Sequence, residues 1–142
     1  MQDLSLFLAG NALPEENVFY AATKRFRDPD GNPVLWELRP ISTEEDEAIR
    51  KQYTKRVPVP GRKGQYTKDV DIEAYLCAVA AQCTVFPNLK DAELQNSYHV
   101  MGEEALLRAL LNKPGEYQDF LNKINEVNGF QSMDELVEEV KN

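Results

Sequence analysis

The chain has 142 residues, of which 42% are hydrophobic and 28% charged, and its formal net charge is −8. This length and composition favour one soluble globular domain and argue against a disordered chain. No apolar run approaches the ~20 residues of a membrane span, and the N-terminal run is shorter than the ~7–15 residues of a signal-peptide core, so we expect a cytoplasmic protein with reduced cysteines.

Residues 1–16 are predicted to form an N-terminal arm ahead of a single domain at 17–142. Segment 4–13, L-S-L-F-L-A-G-N-A-L, is apolar without a clean period, and a proline follows it. Side chains this apolar are costly to leave in water, so the arm is expected to contact its own domain, another subunit or a partner. The candidate binding residues are Leu4, Leu6, Phe7, Leu8 and Leu13.

A β-hairpin is predicted over about 18–41. Two segments rich in β-branched and aromatic residues flank a D-G turn, which is a strong local signal for a hairpin. Alternation places Trp36 at the centre of one face, between Val34 and Leu38, and puts Leu35 and Glu37 on the other. Because a lone hairpin is only marginally stable, one face must pack on helices or pair with another chain.

A helix is predicted to begin at Ser42 or Thr43, since the acids at 44–47 complement the positive end of the helix dipole. Thr43 and Asp46 fit a capping-box pattern loosely. Segment 55–68 contains two prolines and two glycines, which predicts a long, irregular basic loop.

The cations of segment 50–68 could contact phosphates. A small nucleic-acid-binding accessory protein that uses this segment is therefore the alternative function. Against it, only two aromatic residues are interleaved with the cations, and no nucleic-acid-binding motif is present.

Residues 69–142 are predicted to be helical. Apolar residues first recur every three or four positions, in a helix that ends before Pro87. A later helix begins with Pro114 in its first turn and ends at an N-G pair, and Ser132 with Glu135 forms a capping box for the last helix. The predicted fold class is therefore α+β, a mainly α-helical single domain with an N-terminal β-hairpin.

The cysteines and the single histidine do not form a catalytic or metal-binding pattern. Cys77 and Cys83 are six residues apart, about 120° out of alignment on a straight helix, and a structural zinc needs four ligands. Nothing in the spacing brings His99 to Cys83 as a base. We expect buried thiols, a capping or surface histidine, no cofactor, no metal and no enzymatic activity.

The charge is unevenly divided along the chain. Residues 1–68 carry 10 acidic and 11 basic side chains, whereas residues 69–142 carry 14 and 5. The C-terminal half is expected to repel nucleic acid and anionic lipid and to suit a basic partner surface.

Several stretches together resemble one known family, the XkdN-like tail assembly chaperones of phages and defective prophages of Gram-positive bacteria. The likeness covers nearly the full chain, and none of its motifs carries chemistry. The matching stretches are L-S-L-F-L-A-G-N-A-L-P, K-R-F-R-D-P-D-G-N-P-V-L-W-E-L-R, T-E-E-D-E-A-I-R-K, C-T-V-F-P-N-L-K-D-A-E-L-Q-N-S-Y-H-V-M-G, L-L-N-K-P-G-E-Y, N-G-F and S-M-D-E-L-V-E-E-V-K.

The resemblance implies a non-catalytic chaperone that acts in the bacterial host cytoplasm during tail morphogenesis and is absent from the mature virion. It implies that the chaperone binds the tape measure protein, a long helical chain with apolar stripes, and helps to recruit tail tube protein. Self-association through the apolar arm is a separate expectation. Similar chaperones are commonly made in two lengths by ribosomal frameshift, for which Val-Lys-Asn at 140–142 can be encoded by a slippery run; other families in the group encode the two parts as separate genes.

Overall fold

In a computed structural model of the chain, which describes residues 2–130, short strands pack on one side of a helical core. The predicted capping box at Ser132 and Glu135, the last helix and the frameshift stretch lie outside the described residues. In chain order the elements are two 3-10 turns (Leu4–Phe7 and Ala9–Asn11), β1 (Val18–Tyr20), β2 (Trp36–Leu38), α1 (Thr43–Gln52), β3 (Thr54–Pro58), β4 (Tyr66–Val70), α2 (Ile72–Cys83), β5 (Thr84–Phe86), α3 (Ala92–Ser97), α4 (Glu103–Leu110) and α5 (Pro114–Val127).

The predicted N-terminal hairpin is confirmed, with a shorter ladder than its length suggested. β1 and β2 are antiparallel, and their register runs from Val18↔Leu38 to Tyr20↔Trp36. At the tip, the N–H of Gly31 donates to the carbonyl oxygen of Asp28 at 2.9 Å. Gly31 has φ +84°, a conformation that costs glycine little and other residues more.

The inner face of this hairpin lies against the helices, as predicted. Trp36 is 2% exposed and Leu38 is fully buried. The Trp36 ring meets the Phe120 ring of α5 edge to face, with 5.3 Å between centroids. The Tyr20 ring also lies beside Phe120, with 6.4 Å between centroids. Edge-to-face geometry suits the quadrupoles of aromatic rings. The sheet and α5 therefore share one core.

Helix α1 is fixed at its start by a capping box. The Ser42 side chain accepts from the N–H of Glu45, whose carboxylate accepts from the N–H of Ser42. The loose alternative of Thr43 with Asp46 is thus replaced by the pair one residue earlier. Arg39 donates to the same Glu45 carboxylate at 2.9 Å, which ties β2's end to the helix.

Helix α5 begins and ends where the sequence predicted, with Pro114 in its first turn and Asn128 as its C-cap. Near its start, the Glu116 carboxylate accepts from the hydroxyl of Thr23 at 2.9 Å and from the N–H of Lys24 at 3.1 Å. At the C-terminal end of the preceding helix, α4, Arg25 donates to the carbonyl oxygens of Ala109 and Leu110. A cation at a helix C-terminus satisfies carbonyls that lack helical partners.

Segment 55–68 is a β-hairpin, so the prediction of an irregular loop is wrong. β3 and β4 form five antiparallel residue pairs, from Thr54↔Val70 to Pro58↔Tyr66. The prolines do not prevent this. Pro58 is the last residue of β3, and in a two-stranded ribbon one edge of each strand has no pairing partner, so a residue without an N–H is tolerated there. Pro60 and both glycines lie in the turn between the strands.

The prediction of a wholly helical region at 69–142 is also corrected. β4 continues to Val70, and α2 stops at Cys83 so that Thr84–Phe86 forms β5 beside β2. Thr84 and Val85 are β-branched, and Phe86 precedes a proline that disfavours helical backbone. The hairpin thereby becomes a three-stranded sheet in the order β1-β2-β5.

We predict that Trp36→Ala lowers the free energy of unfolding by about 3–5 kcal/mol, because it removes a buried ring from the core. Denaturant melts followed by circular dichroism measure the change. The control is Met101→Ala, which changes an exposed residue outside the core and should stay within about 0.5 kcal/mol of the parent chain. A loss below about 1 kcal/mol for Trp36→Ala would place the ring outside the core.

A second prediction concerns acid stability. The hydrogen bond from Arg39 and the N–H of Ser42 lower the pKa of Glu45 from 4.5 to about 2. A carboxylate with a lowered folded-state pKa stabilises the fold above its unfolded-state pKa and loses that effect as pH falls. Glu45→Gln should therefore reduce the loss of stability between pH 4.5 and about 2, as measured by denaturant melts. Glu44→Gln, in the same helical turn, is the control; an equal loss in Glu45→Gln and the parent contradicts the assignment.

Candidate binding surfaces

The residues that first suggest chemistry are part of the scaffold. Cys77 and Cys83 are both buried, as predicted, and burial raises the pKa of the Cys83 thiol, which also receives a hydrogen bond from the Asn128 amide. His99 is exposed and follows α3 with φ 56°. Within residues 2–130, no group of three or more His, Cys, Asp or Glu side chains could hold a metal ion. None of the helices there is long and apolar enough to cross a membrane.

The N-terminal arm displays its apolar side chains to solvent. Asp3 caps its first turn by accepting from the N–H of Ser5 at 3.0 Å, and Asn11 donates to the Ser5 carbonyl oxygen at 2.6 Å. The turns are therefore locally ordered without help from the domain. The predicted binding residues are between 62 and 90% exposed: Leu4, Leu6, Phe7, Leu8 and Leu13.

A second apolar surface lies on the sheet, opposite the core. Phe19 pairs with Glu37, and Glu37 pairs with Phe86, so these three side chains share one face. Leu35 continues the same alternation one step before β2. Phe19, Leu35 and Phe86 are all more than half exposed. We call Phe19, Leu35, Glu37 and Phe86 the outer face.

The third surface is a groove of about 580 Å³ beside α5. Its apolar part is formed by Leu76, Leu111, Tyr117 and Leu121, and polar side chains such as Gln118 and Asn122 also line it. Tyr117 and Leu121 pack on the core cluster, whereas Gln118 and Asn122 are exposed. A groove of this kind, with an apolar floor and a polar rim, suits the apolar stripe of an amphipathic helix.

The β3–β4 hairpin carries an exposed basic surface. Its cations are Lys55, Arg56, Arg62, Lys63 and Lys68, and all five are exposed. The Arg56 guanidinium lies 4.8 Å from the centroid of the Tyr66 ring. The sequence analysis identified segment 55–68 as basic, but it did not predict the two strands that carry these side chains.

Sequence reasoning missed the outer face and the groove. Alternation placed Leu35 and Glu37 opposite Trp36, and it could also have placed Phe19 there, but it did not identify an apolar surface. Phe86 could not be found in that way, because its place depends on β5 pairing with β2. The groove depends on how α2, α4 and α5 pack, and no local pattern reports that arrangement.

Comparisons with known proteins agree with this fold. A family model described as phage XkdN-like tail assembly chaperone protein matches residues 4–141. The chain is 33% identical over 141 residues to the phage-like element PBSX protein XkdN of Bacillus subtilis (strain 168), covering 99% of this chain and 94% of that protein. It is 35% identical over 141 residues to the uncharacterized protein YqbN of the same strain, covering 99% and 93%. The crystal structure of YqbN superposes with a TM-score of 0.76 and 28% identity, covering 92% of this chain and 99% of that one.

We predict that deleting residues 1–13 reduces the apparent mass of the protein in solution and lowers its melting temperature only by the contribution of association. The reason is that the arm's apolar side chains are exposed on the single chain, so removing them takes away an interface rather than core packing. Light scattering measures the mass, and calorimetry measures the melting. Met101→Ser, which changes an equally exposed residue outside the arm, is the control. If mass and melting both stay unchanged, the arm is not a contact surface.

Proposed function

The chain belongs to the phage XkdN-like tail assembly chaperone family, and we propose that it binds the tape measure protein and helps to recruit tail tube subunits during tail morphogenesis. It acts in the host cytoplasm, self-associates on its substrate and is absent from the finished virion. The role is non-catalytic. Family membership supports the general role, and the surfaces described above support its physical form.

The groove beside α5 is the observation that carries tape measure binding. A long helical chain with apolar stripes is insoluble until those stripes are covered, and a groove with an apolar floor covers one stretch of such a helix. Leu76, Leu111 and Leu121 supply the floor. Each copy covers one stretch, so many copies are needed along one substrate.

Charge supports a selective rather than a tight contact. Residues 69–142 carry a large excess of acids, whereas the charged side chains that line the groove itself are one acid, Glu73, and one base, Arg108. Basic stretches of a substrate would be attracted to this half of the chain, which mainly raises the association rate and improves discrimination. Binding of this kind weakens as salt increases.

The buried thiols support a role without covalent chemistry. A reactive cysteine needs an accessible thiolate, whereas Cys77 and Cys83 are buried and burial raises the pKa of Cys83. Nucleic-acid binding through segment 50–68 is the alternative function. The exposed cations of the β3–β4 hairpin favour it, and the acidic charge of the other half opposes it.

Co-expression with the tape measure protein of the same phage tests the proposal. We predict that the chain increases the soluble yield of tape measure protein and co-purifies with it. Gln118→Arg with Asn122→Arg should reduce both, because the two guanidinium groups would lie over the apolar floor of the groove. Both residues are exposed, so the variant should still fold, which its melting curve verifies.

The matched control is Gln52→Arg with Asn96→Arg, which adds the same charge at exposed positions on α1 and α3. This variant should behave like the parent chain. An insoluble tape measure protein in the presence of the parent chain contradicts the proposed function. Steeply salt-dependent retention on DNA, lost when Lys55 and Lys68 become Gln, would instead support the nucleic-acid alternative.

A further inference from the structure

We propose that the N-terminal arm of one copy docks on the outer face of the sheet in a second copy. This contact would provide the self-association that the proposed function includes, and the inference rests on the proposed function for that role. It requires no tape measure protein, so it can be tested on the chain alone. Its failure would leave binding in the groove beside α5 intact.

The first step is that one chain leaves two apolar surfaces uncovered at the same time. The arm exposes Phe7 and its neighbouring leucines, and the outer face exposes Phe19 and Phe86. Most of the largest exposed patches on monomeric proteins are functional or mark an interaction site. Contact between the two surfaces would remove the apolar side chains of both from water.

The second step is that the segment between arm and sheet is extended. Residues 13–17 contain no turn or bend, and Pro14 has a fixed φ and restricts the residue before it to extended backbone. The amide of Asn17 donates to the Glu37 carboxylate at 2.7 Å, which holds the end of the segment beside the sheet. With this path, the arm leaves the outer face of its own sheet uncovered, since Phe19 and Phe86 are more than half exposed.

The third step is area. Covering the arm's five apolar side chains would remove on the order of 600 Å² from water, against ~800 Å² per partner in a standard interface. With the outer face beneath it, a reciprocal exchange of two arms would bury on the order of 1,800 Å² in total, inside the ~1,200–2,000 Å² range of specific interfaces. Such an exchange is isologous, because each copy gives an arm and receives one.

The charged group on the outer face is compatible with this contact. Glu37 already accepts a hydrogen bond from Asn17, and it is partly exposed. The arm contains no basic residue, so it brings no charge partner for this carboxylate. Glu37 lies between Phe19 and Phe86 on the central strand, so the arm would cover it, and the hydrogen bond from Asn17 would have to satisfy its carboxylate inside the contact.

Disulfide trapping between two variants tests the proposal. One chain carries Phe7→Cys and the other carries Phe86→Cys; the two are mixed and oxidised under native conditions. The native thiols are buried and do not compete. We expect a covalent pair of chains to form faster than in the control mixture of Phe7→Cys with Met101→Cys, in which the second position is equally exposed but outside the outer face.

Three outcomes would overturn the proposal. A chain carrying both Phe7→Cys and Phe86→Cys that closes its disulfide within a single chain would show that the arm covers its own sheet. Cross-linking no faster than in the Met101→Cys control would show that the arm does not reach this surface. Phe19→Ser with Phe86→Ser should lower the apparent mass by light scattering as far as arm deletion does, with the fold verified by its melting curve; a parent-like mass also overturns the proposal.

Discussion

The packing of β2 against α5 is the contact on which the rest of the structure depends. A strand of three residues has almost no stability of its own, and β2 is held because Trp36 lies edge to face on Phe120 in a fully buried core. Once this contact is fixed, β1 and β5 add to the two edges of β2. Polar contacts reinforce the same docking, since Glu116 at the start of α5 accepts from Thr23 and Lys24 in the connection that follows β1.

The same packing determines which residues face water. Because side chains alternate along a strand, turning Trp36 and Leu38 toward the helices turns Glu37 outward, together with its cross-strand neighbours Phe19 and Phe86. A strand whose outer face met only solvent would carry polar residues at those positions. Aromatic side chains exposed there do not gain the free energy of burial in the single chain, and they gain it only if another surface covers them.

The sequence was sufficient where local chemistry decides the structure, and it failed where distant residues decide. Pro114 and Asn128 mark the ends of α5 by their own backbone preferences, and the burial of Trp36 followed from alternation. Segment 55–68 was mispredicted because its prolines were taken to exclude strands, whereas a two-stranded ribbon has free edges that accept them. Phe86 joins the outer face only because β5 pairs with a strand more than forty residues earlier, and no local pattern encodes that pairing. The groove beside α5 could not be predicted for the same reason.

The two proposed contacts lie on different sides of α5, which has a consequence for assembly. Phe120 and Ile124 face the core beneath the sheet, whereas Gln118 and Asn122 lie nearly half a turn away, at the groove. A copy can therefore hold a substrate helix in its groove while its arm and outer face contact another copy. Linked copies bind a long chain at many sites, so each groove can bind weakly and the assembly still binds tightly. Weak individual contacts would also allow the copies to be released one at a time, which a single tight site would prevent.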